Sequence, residues 1–324
     1  MTRVKLFLSV SAVCVVALSQ TARAQNRIQQ LRERIERRRA EQAQYSAEKI
    51  VVGGINRTYI LHTPPSYKQG TPLSLVFVFH GGRTPAQNMI RYTRMSEIAD
   101  RENFIVVYPQ GLNNQWNDGR QNAPPNDDVG FIAALIDSLE KSMSINRQRI
   151  YATGISNGGM FAQRVACELS GKIAAIASVA ASMPEDFAAQ CKPSAAISVL
   201  MIHGTNDPLV PYNGGSLAGS TDIGGRVWPV VGTIKFWAKQ DRCTIQSITE
   251  MLPDKDPNDG TRVRHERYSP CLASTGVELY TVEGGGHTWP SSNQYLPERF
   301  IGKTSKDIDG SEVIWQFFAS HSLK

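Results

Sequence analysis

No apolar stretch in this chain is long enough to cross a bilayer. The most continuous one, Leu6 to Leu18, falls well short of the roughly 20 residues that a spanning helix needs. Nor does the bulk of the chain carry an excess of one charge. The formal net charge is +6, yet residues 1–24 hold three basic side chains and no acid, and residues 25–49 hold seven basic and four acidic ones. The remainder has 25 of each, which argues against a nucleic-acid partner for the body of the protein. Cysteine is scarce, at 5 residues, and no histidine or cysteine cluster has zinc-ligand spacing, so neither a metal nor another cofactor is expected. Internal repeats and Ser/Pro-rich linkers are missing too. What remains, 41% hydrophobic and 20% charged residues over 324 positions, is the composition of a globular protein with a sizeable core.

The basic N-terminus has its own logic. Arg3 and Lys5 precede the apolar stretch, and Ala22-Arg23-Ala24 forms a small-residue cleavage pattern before Gln25. That order reads as a secretory signal peptide over residues 1–24, with a lipoprotein anchored through Cys14 as the weaker alternative. Residues 25–48 read as a polar helical linker in which Ile28, Leu31 and Ile35 make a short stripe at helical spacing. Electrostatic attachment of this stretch to an anionic cell surface is the sharper alternative. The main folded domain is expected over 49–324. Cleavage would remove Cys14 and leave Cys167, Cys191, Cys243 and Cys271, an even number that favours disulfides in an exported protein. Of the three possible pairings, Cys167–Cys191 and Cys243–Cys271 are favoured because each closes a loop of about 25 residues, contributing roughly 3–4 kcal/mol.

From residue 50 onward, short β-branched and aromatic runs alternate with helix-like segments. Strands are expected at Tyr59–His62, Leu73–Phe79, Phe104–Tyr108, Arg149–Thr153, Ile173–Val179, Ile197–His203 and Val277–Val282. Helices are expected at Pro85–Arg101, Asp128–Ser144, Gly158–Ser170 and Trp228–Gln240, with a last amphipathic one around Val313, Ile314, Phe317 and Phe318. This alternation implies an α/β fold with a mostly parallel sheet covered by helices on both faces. The almost wholly apolar run LSLVFVF suits a strand buried on both sides.

Three strand ends carry chemistry. Gly154-Ile155-Ser156-Asn157-Gly158 is G-x-S-x-G between an expected strand and an expected helix. Glycines two positions to either side remove the β-carbons that would clash in so sharp a turn, and they leave Ser156 Oγ exposed as a nucleophile. A serine hydroxyl needs a base, and the base needs an orienting acid. In the chain order Ser, acid, His, Asp207 follows one buried strand and His287 follows another. The oxyanion of acyl transfer calls for backbone donors: the Asn157 N–H and one from His80-Gly81-Gly82-Arg83, with Gly82 favoured over Gly81 and Arg83. His80 and His203, at strand-to-loop transitions, read as braces for these loops. Trp116 and Trp289 are candidate walls of an acyl pocket. The calcium-like string Asp254 to Gly260 has its glycine one position late and His265 where a bidentate glutamate belongs, so it reads as a solvated acidic turn.

HGGRTPA, YPQGLNNQW, TGISNGGM, HGTNDPLVPY and GGGHTWP occur in the same order as in secreted esterases related to polyhydroxybutyrate depolymerases and feruloyl esterases, and the chain resembles that family over roughly residues 48–320. The resemblance implies an α/β-hydrolase fold and hydrolysis of carboxylic esters through Ser156, Asp207 and His287. The expected substrate is a polyester oligomer or a hydroxycinnamoyl ester. Alternatives on the same fold are an acyltransferase, a peptidase, or an inert wall-binding protein with a vestigial site.

Overall fold

The computed structural model describes residues 45–217, 224–244 and 246–324, with residues 25, 27–30 and 32 before them. Residues 1–24, expected to be a signal peptide, and Leu31 and Ile35 lie outside the described residues; residues 27–30 are helical and Ile28 is exposed. Residues 47–324 form one compact unit.

Its centre is a 10-stranded sheet in the order β1-β2-β4-β3-β5-β6-β7-β12-β11-β10, while the short β8 (Gly215–Ser216) and β9 (Arg226–Val227) pair in a sheet of their own. The strands that matter for the site are β3 (Leu73–Phe79), β4 (Ile105–Pro109), β5 (Ile145–Ile155), β6 (Ala175–Val179), β7 (Ser198–Gly204) and β12 (Val277–Glu283). Neighbours within this inner set pair in parallel. The flanking β1 (Ala47–Val52), β2 (Ile55–His62), β10 (Ile248–Met251) and β11 (Arg262–Tyr268) pair antiparallel. All seven residues of β3 are buried, because helices cover both faces of the sheet. Leu75, Phe77 and Phe79 join one core with Trp116, Phe131 and Phe161, while Val76 and Val78 are buried on the opposite face. The expected α/β fold with a mostly parallel sheet is the one observed.

The differences have local causes. The helix expected over Pro85–Arg101 is two, α1 (Gln87–Thr93) and α2 (Met95–Glu102), because Arg94 adopts a left-handed φ of 54°. No glycine or proline marks that break. Strand β1 begins at Ala47, inside the segment expected to be linker, and β10 is exposed at every position. Such short, largely exposed edge strands lack the long apolar run that reveals a buried parallel strand. Both disulfides, Cys167–Cys191 and Cys243–Cys271, are the pairs favoured above. Replacing Cys167 and Cys191 together by alanine is expected to cost about 3 kcal/mol, read as a lower urea midpoint that added reductant lowers no further at that site. An unchanged midpoint would contradict this.

Candidate active site

The chain runs from β3 outward to β4 and then returns to place β5 on the other side of β3. A reversal of this kind opens a crevice beyond the C-terminal ends of the strands on either side of it. Two loops meet there. After β5 comes the elbow at Ser156, whose φ of 58° and ψ of −124° lie in a region that side chains avoid, costing about 1–3 kcal/mol. Its surroundings hold it: the Ser156 N–H donates to the Val179 carbonyl of β6 at 3.0 Å, and the Ser156 carbonyl accepts from Met160 in the following helix at 2.9 Å. A β-carbon on Gly154 would sit 2.6 Å from the Gly158 backbone, and one on Gly158 would sit 2.6 Å from the Phe79 carbonyl. Both positions therefore require glycine.

The second loop follows β3. A β-carbon on Gly81 would lie 3.7 Å from Ser156 Cβ, and one on Gly82 would lie 3.6 Å from Asn157 Cβ, so the loop rests against the elbow. His80 sets its shape. The Gly111 N–H donates to His80 Nε2 at 2.9 Å, which leaves the ring proton on Nδ1, where it donates to the Gly81 carbonyl at 2.8 Å. In a trans peptide the N–H points opposite to the C=O. Fixing the Gly81 carbonyl thus fixes the direction of the Gly82 N–H. The Arg83 N–H is already spent on the Asn114 carbonyl at 2.7 Å, which removes one of the alternative donors.

His80 is fully buried, and burial, opposed by its bond to Gly81, drives its pKa down to about 4. An unfolded histidine takes its proton near 6.5, so between these values the unfolded chain binds more protons and stability falls as pH drops. His80 is expected to account for about 3 kcal/mol of acid destabilisation across that window. Urea unfolding at pH 7.5 and 4.5 should show a shallower acid loss in His80→Gln; equal losses in both proteins would contradict the assignment.

Asp207 and His287 come together from the ends of β7 and β12. His287 Nδ1 and Asp207 Oδ2 are 2.8 Å apart, and both side chains are buried. Asp207 Oδ1 accepts from the Leu209 and Val210 N–H groups, each at 2.8 Å. Burial alone would raise the Asp207 pKa, but the His287 imidazole, His203 and the Val210 N–H outweigh it and hold the carboxyl below its ordinary value. His203 donates from Nε2 to the Val210 carbonyl at 2.9 Å and so props the Asp207 turn. The loop bearing His287 then reaches back across the sheet: the Trp289 N–H donates to the Tyr92 hydroxyl on α1 at 3.0 Å. Tyr295 donates to the His287 carbonyl at 3.3 Å. Because α1 follows β3, the Trp289–Tyr92 bond ties the histidine loop to the segment after the loop at the end of β3.

Neither tryptophan presents a face to the crevice, contrary to the expectation of an aromatic pocket. Trp116 has no exposed surface; it stacks on Phe161 at 4.8 Å and donates from Nε1 to the His80 carbonyl. Trp289, 1% exposed, donates to Ser311, which in turn donates to the Thr93 carbonyl. Both rings shape the site from behind. Sequence reasoning missed the network around Trp116. The Asn157 side chain accepts from the Trp116 N–H at 2.8 Å and donates to Asp118 at 2.7 Å, and Asp118 is paired with Arg120 in the interior. The cluster of amides and charges in NNQWNDGR was the available signal. The acidic turn at 254–260 is tied to the segments beside it, with Asp259 accepting from the Thr261 N–H and Asp256 pairing with Lys306.

Residues 115–221 match the Phospholipase/Carboxylesterase family. The chain is 30% identical over 296 residues to the putative esterase NocK of Nocardia uniformis subsp. tsuyamanensis, covering 87% of this chain and 85% of that one. It is 26% identical over 279 residues to feruloyl esterase D of Neurospora crassa, covering 83% of each. To feruloyl esterase B of Piromyces equi it is 27% identical over 71% of this chain, and it spans 42% of that longer protein. Among solved structures, an acetyl xylan esterase from Aspergillus awamori aligns with a TM-score of 0.55 at 13% identity, over 85% of this chain and 99% of that one. That last likeness concerns the fold alone. Taken with a relative matched over most of both lengths, it places the chain among the esterases of the α/β-hydrolase fold, and the protein is a carboxylic ester hydrolase.

Proposed function

We propose that the protein is a secreted serine esterase working through an acyl-enzyme, with Ser156 as nucleophile, His287 as base and Asp207 as its orienting acid. The observation that carries this reading is the 2.8 Å contact between His287 and Asp207 at neighbouring strand ends, in the same sheet whose β5 leads into the strained Ser156 elbow. Asp207 holds the proton of His287 on Nδ1 and leaves Nε2 free to take the Ser156 proton. The serine oxygen then bonds the ester carbon, and the carbonyl electron pair moves onto its oxygen. The Gly82 and Asn157 N–H groups stabilise that oxyanion, each at a typical value of about 3–4 kcal/mol. His287 gives its proton to the departing alcohol, activates a water in turn, and the acid is released.

The acyl group favoured is hydroxycinnamoyl, supported by the feruloyl esterases among the relatives. The order of motifs supports a hydroxyalkanoate ester as the second reading. Secretion is supported by the leader pattern in residues 1–24 and by the two disulfides, which suit an oxidising compartment.

The test compares acid release from methyl ferulate with that from a soluble hydroxybutyrate oligomer, with Ser156→Ala as the blank. Ferulate at least tenfold faster is the expected result. The oligomer faster would move the assignment to the hydroxyalkanoate, and neither above the blank would overturn the esterase mechanism.

A further inference from the structure

The loop from Gln110 to Arg120 is braced along most of its length. Gln110 accepts from the Ala86 N–H and donates to the Gly111 carbonyl and to Asn114. The Asn117 N–H donates to Asp128, and Asp118 and Arg120 pair with each other. Gln115 is the exception. Its backbone is held, the N–H by the Leu112 carbonyl and the next residue by Asn157, but its carboxamide oxygen is buried without a hydrogen-bond partner. That carboxamide lies against the oxyanion loop: a β-carbon on Gly82 would be 3.3 Å from Gln115 Oε1 and 3.7 Å from Nε2.

A buried, unpaired amide oxygen destabilises the resting protein unless something else uses the group. We propose that the Gln115 carboxamide is a third donor to the oxyanion, beside the Gly82 and Asn157 N–H groups; this rests on the serine-esterase reading above. The terminal torsion of glutamine is broad, and a half-turn about it exchanges Oε1 and Nε2. When Ser156 adds to the ester carbon and its proton passes to His287, the carbonyl oxygen takes the electron pair and becomes negative. An amide oxygen facing it is repelled and an amide N–H is attracted, so the carboxamide turns as the substrate reacts. The side chain thereby gains its partner only in the transition state, where an interaction raises kcat.

The experiment measures kcat and KM for wild type, Gln115→Met and Gln115→Glu on p-nitrophenyl butyrate and p-nitrophenyl 3-hydroxybutyrate, with the melting temperature of each protein. Methionine keeps the length and removes the donor. Its kcat is expected to fall about 10- to 100-fold on both esters alike, with KM within about twofold, and glutamate should lose more. An unchanged kcat, a loss confined to KM, or a loss confined to the hydroxylated ester would each overturn the assignment; the last would make Gln115 a contact for the acyl hydroxyl. If the methionine variant melts early, the isosteric Gln115→Glu decides. Wild type no faster than Ser156→Ala on both esters would instead overturn the underlying reaction.

Discussion

Replacing Ser156 by alanine is expected to lower kcat about 10⁶-fold, the scale seen when a serine nucleophile is removed, and to leave the fold intact. The fold survives because the elbow is held by backbone bonds to Val179 and Met160 and by the close approach of Gly154 to Gly158, none of which uses the hydroxyl. Alanine carries the same β-carbon strain at a φ of 58°. Glycine does not, so Ser156→Gly should be inactive yet more stable than wild type by about 1 kcal/mol. Scanning calorimetry or urea unfolding alongside the rate separates the two effects. A glycine variant less stable than wild type would mean that the turn is not strained, and a rate above background in either variant would remove Ser156 from the mechanism.

Asp207→Asn is the second large effect, with kcat expected to fall about 10⁴-fold at unchanged fold. The asparagine side chain can still accept from Leu209 and Val210 through the oxygen in the position of Oδ1. Its amide group, however, takes the place of Oδ2, which in wild type faces His287 Nδ1 at 2.8 Å. An amide N–H there favours the imidazole with its proton on Nε2, the wrong tautomer for accepting the serine proton. Turning the amide round would restore the contact but would break both backbone bonds. A loss under tenfold would show that Asp207 does not orient the base.

How much of this was legible in the sequence depended on burial. The inner parallel strands, such as β3 and β7, are buried on both faces and stood out as apolar runs; the antiparallel edges β1 and β10 are short and largely exposed and did not. The elbow was legible because its glycines answer to a steric need that leaves a fixed spacing. Asp207 and His287, 80 residues apart, were legible through their places at strand ends, the chain order after Ser156 and the motifs around them. The tryptophans were misplaced because an aromatic in a site loop can face the ligand or the core, and composition does not say which. Gln115 went unnoticed for a related reason: its interest lies in a missing partner, which only three dimensions reveal.

The most direct test of the account is to catch the acyl-enzyme. Wild type is mixed with a p-nitrophenyl ester, quenched in acid within the first turnover and digested with trypsin, and the peptide 150–164 is weighed. The account predicts one acyl group on that peptide at Ser156, formed in a burst with p-nitrophenol and absent from Ser156→Ala. Ester turnover with no acylated peptide, or an adduct on another residue, would contradict it.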